Sequence, residues 1–292
     1  MKHIQRIALY LILIPLFVCN FLWAQNYAVQ FDGVDDYIDL GANGPVLGNT
    51  FTQEFWIYPN TQTWTPPNQS SWPWHGLIGA TGSSNFRPPS IYVYQQTRIH
   101  FGFGDGNANS WTTISHNTPS VLTLDSWNHV AITFDGTNYK VYVDGDLVDQ
   151  HAKAQGKTPY NMSIKWIGQI GSFFKGQLDE VRIWNLARTQ QQIVNSMDAE
   201  LTGNETGLIA YYRMNASTGS TLSNSSPNGS DGTLNSSIRL VSTIPLDQIS
   251  PVISSANLDT DNEFIDITMS EGVYRLLTSP LKLVENLRSL PI

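Results

Sequence analysis

The sequence predicts an all-β fold, an antiparallel β-sandwich with one short helix towards its C-terminal end. Three observations carry this. From Tyr27 to about Trp184 the chain offers short runs that alternate apolar and polar residues, separated by Gly, Pro, Asn and Asp. Val130, Ile132 and Phe134 form one face of a strand, and Tyr139, Val141 and Val143 one face of the next. Asp135-Gly136-Thr137-Asn138 lies between them and Asp144-Gly145 follows, which is hairpin chemistry. Only one segment, Thr189 to Leu201, shows helical spacing. Many strands with one late helix imply packed antiparallel sheets, and roughly 200 residues suffice for their core.

In chain order, residues 1–24 read as a secretory signal. Lys2 and Arg6 precede an apolar run from Ile7 to Val18, and Ala24 is the small residue before Gln25. The run is short and early for a membrane span, so no membrane insertion is expected. Cys19, the single cysteine, falls inside it. The sandwich is expected over 25–214 and a polar linker and return segment over 215–247. Between Gly176 and Ile193 a strand runs into a helix start. Thr189 and Gln192 have capping-box spacing, and Ile193, Val194, Met197 and Leu201 recur helically. In that strand Asp179 has the parity of Val181 and Ile183, so it is expected to point to the core, where a carboxylate is costly unless bound.

Several segments together resemble the laminin-G-like, concanavalin A-like jelly-roll domains of secreted bacterial surface proteins: Phe31 to Gly41, Phe51 to Pro59, Ser126 to Gly145, Gly176 to Ile193 and Gly207 to Asn215, with Ser225 to Leu234 behind. The resemblance implies a concanavalin A-like jelly roll, often with structural calcium and often binding glycans. Residues 248–292 resemble an incomplete bacterial immunoglobulin-like segment, in which Ile265, Ile267 and Met269 alternate. The composition changes at Arg275, as a truncated or frame-shifted end would.

Charge narrows the partners. The chain carries 24 acidic and 16 basic residues, net −8. Removing residues 1–24 would leave 14 basic residues and a net charge of −10. Such a surface disfavours nucleic acid and anionic membranes and suits divalent cations or neutral ligands.

Asp32, Asp35 and Asp36 follow the first strand, and the fold could bring Asp179-Glu180 alongside. Calcium takes several oxygen ligands, so Asp32, Asp35 and Asp179 are the expected metal ligands. The competing reading is a turn at Asp32-Gly33 with Asp179 accepting backbone hydrogen bonds. The run Asp105 to Asn109 lacks the later residues of a calcium loop and reads as a turn. Trp64, Trp72 and Trp74 lie in a Pro-rich stretch among amides and hydroxyls, the chemistry that stacks on sugar rings and bonds their hydroxyls. Trp56, Trp127, Trp166 and Trp184 lie in or at strands and are expected in the core. His129 reads as a hydrogen-bonded structural residue.

No catalytic residue is assigned. Enzymes sharing this sandwich carry a spaced carboxylate set that no segment supplies, and Asp179 and Glu180 would face opposite ways in a regular strand. No metalloprotease, nucleophile-elbow or phosphate-loop motif occurs. The expected function is a secreted or cell-surface, non-catalytic carbohydrate-binding or adhesion module whose partner is a glycan or cell-surface polysaccharide. A structural spacer, or a fragment of a glycan-degrading enzyme, is the alternative. Oligomeric state is not legible.

Overall fold

The computed structural model describes residues 27–60, 74–215, 220–227 and 229–235, together with the backbone of strands at 239–242, 253–258, 264–269 and 272–277. In chain order the strands are β1 (Tyr27–Asp32), β2 (Ile38–Asp39), β3 (Phe51–Pro59), β4 (Trp74–Gly79), β5 (Ser90–Tyr94), β6 (Arg98–Gly102), β7 (His116–Asn117), β8 (Asn128–Phe134), β9 (Tyr139–Val143), β10 (Asp146–His151), β11 (Trp166–Ile167), β12 (Lys175–Trp184), β13 (Leu208–Tyr212), β14 (Thr221–Leu222), β15 (Gly232–Leu234), β16 (Arg239–Ser242), β17 (Ile253–Leu258), β18 (Phe264–Met269) and β19 (Gly272–Leu277). Two short helices accompany them, α1 (Ser110–Ile114) and α2 (Gln190–Val194).

The first sheet runs β10-β9-β8-β3-β12-β1-β16, with β13 also paired to β12; the second runs β14-β15-β2-β11-β4-β5-β6-β7. All pairings are antiparallel, so the expected sandwich is present. One main core joins the sheets. Phe51, Phe55, Ile57, Val130, Ile132, Phe134, Val141 and Leu178 enter it from the first sheet, and Ile38, Ile78, Ile91, Val93, Ile99 and Phe101 from the second. Each such side chain contributes about 1.5–3 kcal/mol by leaving water. The β8–β9 hairpin turns where expected: Asp135 Oδ1 accepts the N–H groups of Thr137 and Asn138, and Gly136 supplies φ 86°.

The chain after Asn215 also enters the sandwich. β14 and β15 join the second sheet through β2, and β16 pairs with β1. Strands β17, β18 and β19 form a separate three-stranded sheet, with β18, carrying the Ile265 to Met269 alternation, in its middle.

Two local expectations are corrected. The capping box at Thr189 and Gln192 is present, but α2 ends at Val194 and residues up to 198 form turns rather than helix. The carbonyls beyond it are taken by side chains: Trp56 Nε1 donates to Met197 O, and Arg182 donates to Ser196 O and Ala199 O. Asp179 does not share the side of Val181. A bulge interrupts the β12–β3 register between Asp179 and Arg182, and Glu180 takes φ 51°. Leu178 and Val181 therefore both reach the core, while Asp179 lies opposite Trp56 on the outward side.

Candidate functional site

The second sheet presents an aromatic face on the side away from the core. Directly opposed residues in neighbouring strands share a face. Trp74, Tyr94 and Arg98 are opposed in one row across β4, β5 and β6, and Gly76, Tyr92, His100 and Asn117 in the next row, which reaches β7. Val93 and Ile99, offset by one, enter the core. Trp74 stacks on Tyr94 at 4.1 Å between ring centroids with 22° between planes, and meets His100 edge-on at 4.3 Å. Trp111, from α1, contacts His100 and Tyr92 at 5.3 and 6.0 Å. Tyr92 and His100 form the buried floor, while Trp74, Tyr94, Arg98 and Trp111 stay half-exposed.

Polar groups edge this face. Arg87 lies 4.4 Å from the Trp111 ring centroid, and its Nη1 donates to Tyr92 Oη at 2.7 Å. His100 Nδ1 is 2.7 Å from Asn117 Oδ1. Burial chiefly drives the His100 pKa down to about 4, with Arg87 adding to the effect against the Asn117 hydrogen bond, so the ring is neutral at pH 7. Burial raises the Tyr92 hydroxyl to about 12, partly offset by Arg87, so it stays a hydrogen-bonding O–H. The turn after β11 lies against Gly76: a Cβ there would sit 2.0 Å from Ile170 N, so only glycine admits this approach.

Of the three expected sugar-contacting tryptophans, Trp74 is in this face, and Trp64 and Trp72 lie outside the described residues. Tyr94, His100, Trp111, Arg87 and Arg98 were missed. The signal was the alternation of Tyr92 and Tyr94 with Ile91 and Val93, and of Arg98 and His100 with Ile99 and Phe101, but strand pairing was needed to bring the two together.

The acidic group divides. Asp32, Asp35 and Asp36 offer carboxylate oxygens that all lie within 4.8 Å of one another. Asp32 and Asp35 are exposed and Asp36 is buried. The turn also uses these groups: Asp32 Oδ1 accepts from Val34 N at 2.7 Å, and Asp36 Oδ2 from Asp32 N at 2.8 Å. Three carboxylates at this spacing fit a hard cation in donor type. Asp179 is placed elsewhere, correcting its expected position beside Asp32, because Asp32 is opposed to Lys175 and Asp179 to Trp56.

Asp179 instead belongs to a buried charged layer under α2. Glu180 accepts from Arg182 Nε at 3.2 Å and from Tyr211 Oη at 2.6 Å; Glu54 accepts from Arg188 Nη1 at 2.7 Å and Trp184 Nε1 at 3.0 Å. Burial pushes the Asp179 carboxyl well above the usual carboxylate range, and neighbouring Glu180 pushes it further. Burial works against charge on Arg182, yet Glu180 and Glu54 outweigh it and hold its pKa above the ordinary value. Asp179 and Glu180 are 0% and 1% exposed, too deep to meet a polysaccharide.

Other expectations resolve individually. Asp105 caps its own turn through Asn107 N and pairs with Lys157 Nζ at 3.2 Å, and Asn109 leads into α1. His129 is fully buried edge-on to Trp56, the structural placement expected of it, and its Nδ1 has no hydrogen-bond partner among the described residues. Trp56 and Trp184 are buried outside the main core, and Trp127 and Trp166 are only half-buried.

A family model described as the Concanavalin A-like lectin/glucanases superfamily, of the laminin G type, matches residues 32–194, more than half of the chain. Pappalysin-1 of Mus musculus is 33% identical over 188 residues, covering 59% of this chain; the chain spans only 11% of that protein's length. Among solved structures, a candidate carbohydrate-binding protein from Bacteroides ovatus superposes with a TM-score of 0.55 at 20% identity, over 74% of this chain and 60% of that one. A heptameric SAP-like pentraxin from Limulus polyphemus gives 0.51 at 13% identity, over 75% and 96%. The two-sheet topology and the match across residues 32–194 place this chain in the concanavalin A-like lectin/glucanases superfamily.

Proposed function

We propose that this chain is a secreted, non-catalytic carbohydrate-binding module that holds glycans on the aromatic face of its second sheet. The observation that carries this is the half-exposed Trp74–Tyr94 stack over the buried floor of His100 and Tyr92. An indole held flat by a neighbouring ring is a preorganised apolar surface for a pyranose, and nearby Asn117 and Arg98 supply hydrogen-bonding groups for hydroxyls. The likeness to a candidate carbohydrate-binding protein supports the reading. The site is tested by a glycan array on the purified protein, followed by titration of any hit against Trp74→Ala. Binding that weakens about tenfold or more in the variant supports it; a hit unaffected by the variant moves the site elsewhere, and a blank array from folded protein refutes it.

In the same reading Asp32, Asp35 and Asp36 hold a structural calcium ion that stiffens the turn after β1. A cation at about 100 times its dissociation constant raises stability by about 2.7 kcal/mol. Calcium should therefore raise the melting temperature of the wild type and not of Asp35→Asn. Equal melting curves with calcium and with chelator would remove the cation.

A further inference from the structure

Five arginines of this chain have described side chains. Arg182 and Arg188 each contact Glu54, Arg182 also contacts Glu180, and Arg213 lies 3.8 Å from Glu200. Among the described residues Arg87 and Arg98 have no carboxylate partner, and both sit at the aromatic face. This is unexpected in a chain where acids outnumber bases 24 to 16. The stretch leading into Trp74, residues 61–73, contains no acidic residue that could pair with them.

Their placement is specific. Arg98 is opposed to Tyr94, whose ring stacks on Trp74. Arg87 donates from Nη1 to Tyr92 Oη and from Nη2 to Gly82 O, and its Nε is buried with no hydrogen-bond partner among the described residues. A guanidinium partly withdrawn from water between aromatic rings has lost hydration that cation–π contact and two neutral hydrogen bonds replace only in part. An anion brought to it would meet a charge already desolvated and oriented, and the planar fork suits carboxylate and sulfate oxygens. The net charge of the whole chain pointed to neutral ligands, but the local charge of this face is positive.

We infer that the aromatic face selects anionic saccharides, those bearing a sugar carboxylate or sulfate, with the rings holding the sugar and Arg98 and Arg87 holding the acid group. This rests on the glycan-binding reading above and adds the ligand class to it. Arg87 also has a structural task, pinning the loop before β5 through Gly82 and Tyr92, so a loss of binding in an Arg87 variant would not by itself separate the two roles.

The test titrates the purified protein with trigalacturonate, a sulfated galactose oligosaccharide and neutral galactotriose, each at about 50 and about 300 mM NaCl. At least one anionic sugar should bind about tenfold or more tightly than the neutral one, with the preference shrinking at high salt. Which anion wins identifies the acid group. Arg98→Gln should erase most of the preference, weakening anionic binding far more than neutral binding, and Arg87→Lys, which keeps the charge, should retain more of the preference than Arg87→Gln. If Arg87→Gln does not fold, Arg98→Gln and the wild-type salt series decide. Equal affinity for neutral and anionic sugars, both lost in Trp74→Ala, would overturn the charge preference and leave the aromatic site standing. A preference that survives Arg98→Gln and high salt would also overturn it. If no sugar of either kind binds, the aromatic site falls and this inference with it.

Discussion

On the first sheet the outward side chains Glu54, Glu180 and Arg182 lie beneath the segment that follows β12, and each is at most 1% exposed. On the second, Trp74, Tyr94, Arg98 and Trp111 stay half-exposed. Both faces combine aromatic rings with arginines. The difference is what completes them. On the first, α2 packs Ile193 on Ala131 and Tyr142, and Arg182 and Arg188 find glutamates and the carbonyls of Gln192, Ser196 and Ala199. The chain there pairs its own charges, although Glu54 Oε2 and Glu180 Oε1 are buried with no hydrogen-bond partner among the described residues. On the second face two arginines have no carboxylate among the described residues and Trp74, Tyr94 and Trp111 are half-exposed, which is the chemistry proposed above to meet a ligand.

The largest effect should come from breaking the closed face. Arg182→Leu leaves Glu54 and Glu180 buried without their shared cation, which should cost about 3–5 kcal/mol in a urea unfolding experiment. A loss below about 1 kcal/mol would mean that the charged layer is not what holds the segment down, and the contrast between the faces would dissolve.

A smaller and differently directed effect is expected on the open face. Trp74→Ala removes a stack worth about 0.5–1.5 kcal/mol and should lower stability by about that much, while glycan affinity falls more. A stability loss as large as that of Arg182→Leu would make Trp74 a structural residue.

The finest distinction is pH dependence, whose sign is opposite on the two faces. The pKa of Asp179 is raised by burial and by Glu180, so its favourable contribution is complete below the ordinary carboxylate pKa and is lost as pH rises through the raised value. Asp179→Asn should thus gain on the wild type as pH rises. His100 is lowered from 6.5 to about 4 chiefly by burial, so its contribution is complete above 6.5 and is lost as pH falls through about 4. His100→Gln should therefore flatten the stability curve between about pH 6.5 and 4. Unfolding curves across pH 3 to 8 would check both, and parallel wild-type and variant curves would show that neither burial matters energetically.

Much of the fold was legible because it is local. Period-two alternation in β8 and β9, the Asp135 to Asn138 turn and the Thr189 capping box depend on neighbours within a few residues, and all three are present. The end of α2 was not legible, since Arg182 and Trp56, distant in sequence, take the carbonyls beyond it. Asp179 was misplaced for a related reason. One bulge residue reverses the parity of everything before it, and no residue type announces a non-glycine at φ 51°.

By itself, then, the sequence determined the all-β class, the principal turns, the helix start and a family resemblance confirmed over residues 32–194. These follow from side-chain periodicity and turn chemistry, which act over short spans of chain. Tertiary structure alone decided which polar residues are closed off and which remain available. Trp74, Tyr94 and Arg98 become one row only through the pairing of three strands, and Arg182 is neutralised only because β3, β12 and the segment after β12 converge on it. Electrostatic satisfaction and ring stacking depend on distances of a few ångströms between residues far apart in the chain, and only the folded arrangement sets those distances.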